Sequence, residues 1–139
     1  MYLEAMRSDA GRQAFERRFF PLLFNTYLSG VVAEELYAGA LDKVALGLVD
    51  RYIGTLRRVG RVIVPSFEDW SDAGKLIARM TRKQPHVKAK TQQLLNDILI
   101  ALCARRLGAT VFTFNRDDFN LIRRRHRQFS LEVLTPSAW

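Results

Sequence analysis

An α/β fold with a mostly parallel sheet is what this sequence predicts, on three observations. Short β-prone runs at residues 22–28, 61–64, 110–114 and 129–134 alternate with segments of helical periodicity. Helix-bearing segments separate these runs, and parallel strands need a crossover of about that size. The chain has 139 residues, 48% hydrophobic and 26% charged, which gives one domain enough material for a full core and argues against a disordered chain.

The first apolar run ends at Ser29-Gly30, where Ser29 caps a helix passing through Val32, Leu36 and Tyr37 to Gly39. From Leu41, apolar residues recur at Val44, Ala45, Leu48, Tyr52, Ile53 and Leu56, a sustained amphipathic helix. Arg61-Val62-Ile63-Val64, closed by Pro65, is a short strand. Ser66 then caps a helix with Glu68 and Asp69 in its first turn, where the helix dipole favours negative charge. Residues 82–90, with Pro85, form a basic connection. The next helix runs from about residue 91 to 107 on Leu94, Leu95, Ile98, Leu99 and Leu102, and Gly108 stops it. Thr110 to Phe114 is the strongest strand signal. Asn115 to Phe119 is a turn into a short helix, and residues 129–134 alternate as a last strand before Pro136.

Composition narrows the function classes. The single cysteine, Cys103, excludes an intramolecular disulfide and a cysteine-based zinc site, and its apolar setting predicts a small buried thiol in a reducing cytosol. No apolar run approaches the roughly 18 residues that span a bilayer, and the N-terminus lacks a signal peptide's apolar stretch, so no membrane partner and a cytoplasmic location are expected. Charge is uneven: residues 1–81 hold 11 Lys+Arg against 10 Asp+Glu, whereas residues 82–139 hold 11 against 4. Arg82-Lys83, Lys88, Lys90, Arg105-Arg106, Arg116 and the cluster Arg123-Arg124-Arg125-His126-Arg127 suit a polyanion such as RNA, or an acidic protein surface. His86 and His126 lack a second ligand at useful spacing, Trp70 and Trp139 read as packing or interface residues, and Ser29 sits in no nucleophile elbow.

Two acids break the amphipathic pattern. At about 100° per residue, Asp97 lies at the edge of an apolar face, about 60° from both Leu94 and Ile100, and Glu35 sits similarly beside the Val32/Leu36 stripe, while Glu34 points away. A partly buried carboxylate is costly unless it is paired or bound to a cation. Asp117 and Asp118 follow the carboxyl end of the strongest strand, where ligands of open parallel sheets bind. Acids with no His or Cys ligands suit Mg²⁺ or Mn²⁺, and such an ion beside basic residues suits phosphodiester hydrolysis.

Three segments resemble a known family in order and spacing. Leu28-Ser29-Gly30-Val31-Val32-Ala33-Glu34-Glu35-Leu36 resembles the serine-to-"EL" segment of PIN-domain nucleases. Asn96-Asp97-Ile98-Leu99-Ile100-Ala101 is similar to their "D-x-x-I-A" helix, and Val111 to Phe119 to their strand and "T-x-N/D-x-x-D-F" turn. The size resembles that of VapC-like toxins of bacterial toxin–antitoxin pairs. The resemblance implies a PIN-like three-layer α/β/α sandwich and a Mg²⁺- or Mn²⁺-dependent endoribonuclease. It also implies a homodimer and an antitoxin protein as partner. Carried over by motif, Glu35 and Asp97 are metal-binding acids. The fourth position falls on Asn115, with Asp117 or Asp118 as alternatives, Asp118 serving equally well as a helix cap. RNA-backbone contacts are expected from Arg116, Arg123, Arg124, Arg125 and Arg127.

The family's first strand ends in "D-[ST]-x-[VI]-[YL]", whose aspartate is the main metal ligand, and the sequence carries no such segment. Met1-Tyr2-Leu3-Glu4-Ala5 resembles the residues that follow it. Residues 1–139 are therefore expected to form a PIN-like domain truncated at its N-terminus. In the family's strand order 3-2-1-4-5, the loss leaves a gap of two strand spacings, about 10 Å. Either the true start lies upstream or this is a degraded copy. The functions weighed are a toxin endoribonuclease, a non-catalytic RNA- or antitoxin-binding remnant, and a protein-interaction domain with a basic tail.

Overall fold

The computed structural model describes residues 25–83, 90–125 and 129–134. The chain divides into two compact units, Met1–Val64 and Pro65–Trp139. The first contains β1 (Leu28–Ser29), α1 (Gly30–Ala38), α2 (Lys43–Arg58) and β2 (Val62–Ile63). The second contains α3 (Phe67–Lys83), α4 (Thr91–Leu107), β3 (Thr110–Thr113), α5 (Arg116–Arg125) and β4 (Ser130–Val133).

In the first unit β1 pairs in parallel with β2, with Leu28 opposite Val62 and Ser29 opposite Ile63. The expected strand over 22–28 is realised, among the described residues, only at its last position. Ser29 is extended and its hydroxyl already accepts from Val31 N at 3.3 Å, so the chain turns helical at once. Gly30 permits that turn beside β2, since a Cβ there would meet Val64 Cγ1 at 3.1 Å. The second helix begins at Lys43 because the Asp42 carboxylate accepts from Val44 N at 2.9 Å and Ala45 N at 2.8 Å. Val49, Ile53 and Leu56, spaced i, i+4 and i+7, are its buried stripe, with Ala45, Leu48 and Tyr52 half-buried beside them. Leu41 and Val44, read as the start of that stripe, are exposed, because both precede the first turn that packs against Leu28 and Leu36.

In the second unit α4 is the central element. It packs on α3 on one side and on β3 and α5 on the other. Leu94, Ile98, Leu99, Ala101, Leu102 and Cys103 are all buried, which spreads apolar contact over more than half of its circumference. It ends where expected: Gly108 is left-handed at φ 63°, and Ala109 N donates to Ala104 O at 2.9 Å, as in a Schellman motif. The turn after β3 and the helix α5 bring Phe119 and Ile122 into the same core, and Phe119 meets Phe129 edge to face at 6.5 Å. The last two strands pair in parallel from Thr110 opposite Ser130 to Thr113 opposite Val133. Among the described residues the strands thus form two separate two-stranded parallel sheets.

Asp69 corrects the sequence reading of two arginines. Its carboxylate accepts from Ser66 N at 2.9 Å while its own N–H donates to Ser66 Oγ at 3.2 Å, a reciprocal cap at the start of α3. The same carboxylate, 3% exposed as a residue, accepts from Arg106 Nε at 3.2 Å and Nη2 at 3.0 Å. Arg105 faces Asp72 at 3.8 Å. Both arginines, expected to face a polyanion, instead hold the C-terminal end of α4 to the N-terminal half of α3. Burial pushes the neighbouring Cys103 thiol above its ordinary pKa, as expected of an inert core residue. Trp70 is half-exposed.

Candidate active site

The site in the second unit is built on the turn between β3 and α5. Thr113 ends the strand, and its hydroxyl accepts from Asn115 N at 3.0 Å, which folds the chain back on itself. Asn115 is then placed to cap α5, with its Oδ1 accepting from Asp118 N at 3.4 Å and its backbone oxygen from Phe119 N at 3.4 Å. Its amide nitrogen is left to point away from the helix, toward α4. There Nδ2 donates to Asp97 Oδ2 at 3.0 Å and to Asp118 Oδ2 at 3.1 Å.

The orientation of that amide is fixed by its partners. An amide has two N–H donors and one carbonyl acceptor. Reversing it would set a carbonyl oxygen against two carboxylate oxygens and an NH₂ group against a backbone N–H. Asp118 is 8% exposed and Asp97 half-buried, so both carboxylates have lost water that the amide only partly replaces. Two further charges compensate Asp118: the positive N-terminal end of α5, in whose first turn it lies, and the Lys90 ammonium, 4.0 Å from its Oδ1.

Of the expected site residues, the structure thus brings together Asp97, Asn115 and Asp118. The helix cap foreseen as an alternative role of Asp118 belongs to Asn115, and Asp117 is exposed. Glu35 lies on α1 in the first unit. It is exposed there rather than partly buried, because the short helix buries only Leu36 and half-buries its Val31–Ala33 side. Arg116 opens α5 and is exposed, and Arg123, Arg124 and Arg125 are exposed in its last turn. Arg127, His86, His126, Trp139 and the segment Met1 to Ala5 lie outside the described residues.

The sequence reading counted Lys90 only among the basic residues suited to a polyanion, without placing it at the site, and did not single out the Thr113 hydroxyl. The threonine had a local signal, a Thr two residues before an Asn that enters a helix. The pairing of the lysine with Asp118 had none, since the two lie 28 positions apart in the chain.

The side-chain acceptors at this point are the carboxylate oxygens of Asp97 and Asp118, which converge on one small donor, the Asn115 Nδ2, while Asn115 Oδ1 is taken up by the helix cap. That chemistry fits a hard divalent cation such as Mg²⁺ or Mn²⁺. Among the described residues no group of three or more His, Cys, Asp or Glu side chains gathers at one point.

The PIN domain family matches residues 3–125, and the chain belongs to that family. Its α/β fold, with helices joined to short parallel strands, accords with the elements described above. PIN domains are generally divalent-metal-dependent nucleases. Comparisons with curated proteins and with solved structures yield no match. No helix among the described residues is long and apolar enough to cross a membrane.

Proposed function

We propose that this PIN domain is a Mg²⁺-dependent endoribonuclease acting as the toxin of a toxin–antitoxin pair, as its resemblance to VapC-like proteins implies. The observation that carries the nuclease reading is the meeting of Asp97 and Asp118 on the Asn115 amide, at 3.0 and 3.1 Å. These two carboxylates would hold the ion, and Glu35 keeps its place as a further ligand on the motif alone. A divalent ion bound there supplies Lewis-acid polarisation of the phosphodiester and an activated water. Asn115 orients both carboxylates, Thr113 fixes Asn115, and basic side chains bordering the carboxylates, Lys90 among them, hold the RNA backbone near them.

The toxin assignment, the antitoxin, a homodimeric state and a cytoplasmic setting belong to the same proposal and rest on the resemblance. A second reading, a non-catalytic RNA- or antitoxin-binding domain, is favoured by one feature. Asn115 presents an amide where some relatives place an aspartate, so the site carries one negative charge fewer.

Manganese binding separates the two readings without relying on turnover. Titration followed by electron paramagnetic resonance should show one bound Mn²⁺ per chain, lost in Asp97→Asn and in Asp118→Asn. Equal binding by the wild type and both variants would overturn the metal-site assignment.

A further inference from the structure

The basic residues of the second unit are not equivalent with respect to the carboxylate site, and helical geometry sorts them. From Asp118 to Arg125 is seven residues, two turns of α5, so the two side chains leave the helix within about 20° of one another and about 10 Å apart along its axis. Counted the same way, Arg116 lies about 160° round the helix from Asp118, Arg123 about 140° and Arg124 about 120°. Lys90 reaches Asp118 Oδ1 at 4.0 Å while its side chain stays 66% exposed. Asp118 therefore has two cations in relation to it: Lys90 beside it at 4.0 Å and Arg125 two turns along the same helix face.

We propose that Lys90 and Arg125, rather than Arg116 or Arg123, form the track along which a single polynucleotide strand enters the Asp97–Asn115–Asp118 site. The proposal rests on the nuclease reading of that site and specifies its substrate path. A stacked strand advances about 3.4 Å per nucleotide, so the interval of about 10 Å from Asp118 to Arg125 matches three nucleotides. The helix dipole does not account for the difference, since it favours all three arginines of the last turn alike, whereas only Arg125 shares the phase of Asp118. Lys90 is a mobile point charge on a long stem, suited to leaving Asp118 for a phosphate when one arrives.

The test is fluorescence anisotropy of a labelled, uncleavable 2′-O-methyl oligonucleotide titrated with the full chain in EDTA, at several salt concentrations. Lys90→Ala and Arg125→Ala should each weaken binding at least fivefold and make the log–log salt slope shallower by about 0.7, the value per phosphate contact for single strands. Arg116→Ala and Arg123→Ala should stay within twofold of the wild type. Arg125→Gln, which keeps a polar side chain without the charge, should behave as Arg125→Ala does, with an unchanged thermal midpoint. An Arg123→Ala variant weakened as much as Arg125→Ala, or a Lys90→Ala variant that binds normally, would overturn the track. Because binding is read without metal, a separate Mg²⁺ cleavage assay judges the nuclease reading independently: binding lost at Lys90 and Arg125 with no cleavage by any form rejects the nuclease and keeps the track.

Discussion

The Asn115 amide donates to the Asp97 carboxylate at 3.0 Å, tying the turn after β3 to the middle of α4 across 18 positions of sequence. The other hydrogen of the same nitrogen goes to Asp118 at 3.1 Å, so one side chain sets the spacing of two acids carried by different helices. Replacing Asn115 by Ala removes the cap of α5 and leaves Asp97 and Asp118 without their shared donor. The expected cost is about 1–3 kcal/mol, measured by urea denaturation. Asn115→Asp keeps the cap acceptor but sets a third carboxylate against two. It should be less stable than the wild type without metal and recover on adding Mg²⁺, whereas an Asn115→Asp protein indifferent to Mg²⁺ would show that no cation enters the cluster.

Arg106 and Asp69 are expected to govern the stability of the second unit. Arg106→Ala leaves a carboxylate that is 3% exposed without its charged donor, at a cost of about 2 kcal/mol. Asp69→Ala removes the same pair and the reciprocal cap with Ser66, and should cost more than Arg106→Ala. Denaturation midpoints in the opposite order would show that the cap, and not the ion pair, is the minor element.

Cys103 offers a probe of core integrity. Burial raises its thiol pKa, so in the folded chain it should resist alkylation at pH 8 and react fully once denatured. The sign of the linkage follows. The folded pKa lies above that of the unfolded thiol, about 8.5, so the contribution of Cys103 is intact at neutral pH and declines as pH rises past that value. Cys103→Ala should flatten that part of the stability–pH profile, and rapid alkylation of the native protein would contradict the buried placement.

Local signals were legible in the sequence, and tertiary ones were not. The bounds of α4, its termination at Gly108, and the caps at Ser29 and Ser66 rest on neighbours within five residues, and each is found where expected. The parallel pairings also agree with the strand and helix alternation. Of the expected strand over 22–28, residues 25–27 are not strand because β2 offers only Val62 and Ile63 as partners, and an apolar run does not reveal the length of the strand it will pair with. Asp97 stood out as an acid at the margin of an apolar face, and it is half-buried. Glu35 stood out for the same reason and is exposed, since nine residues of helix do not sustain a wide buried face. Arg105 and Arg106 counted toward a basic surface because their acidic partners lie more than 30 residues earlier.

Mg²⁺-dependent cleavage of a single-stranded RNA by the wild-type chain and by Asp97→Asn, at matched folded concentrations, tests the central claim most directly. The substitution preserves shape and the possibility of a hydrogen bond to Asn115 but removes one ligand charge from an all-oxygen site. Cleavage should require Mg²⁺ in the wild type and fall to background in Asp97→Asn, with the thermal midpoint little changed. Equal rates for the two proteins, or a wild type that leaves RNA intact with Mg²⁺ present, would contradict the assignment of Asp97 and Asp118 as the centre of a metal-dependent nuclease.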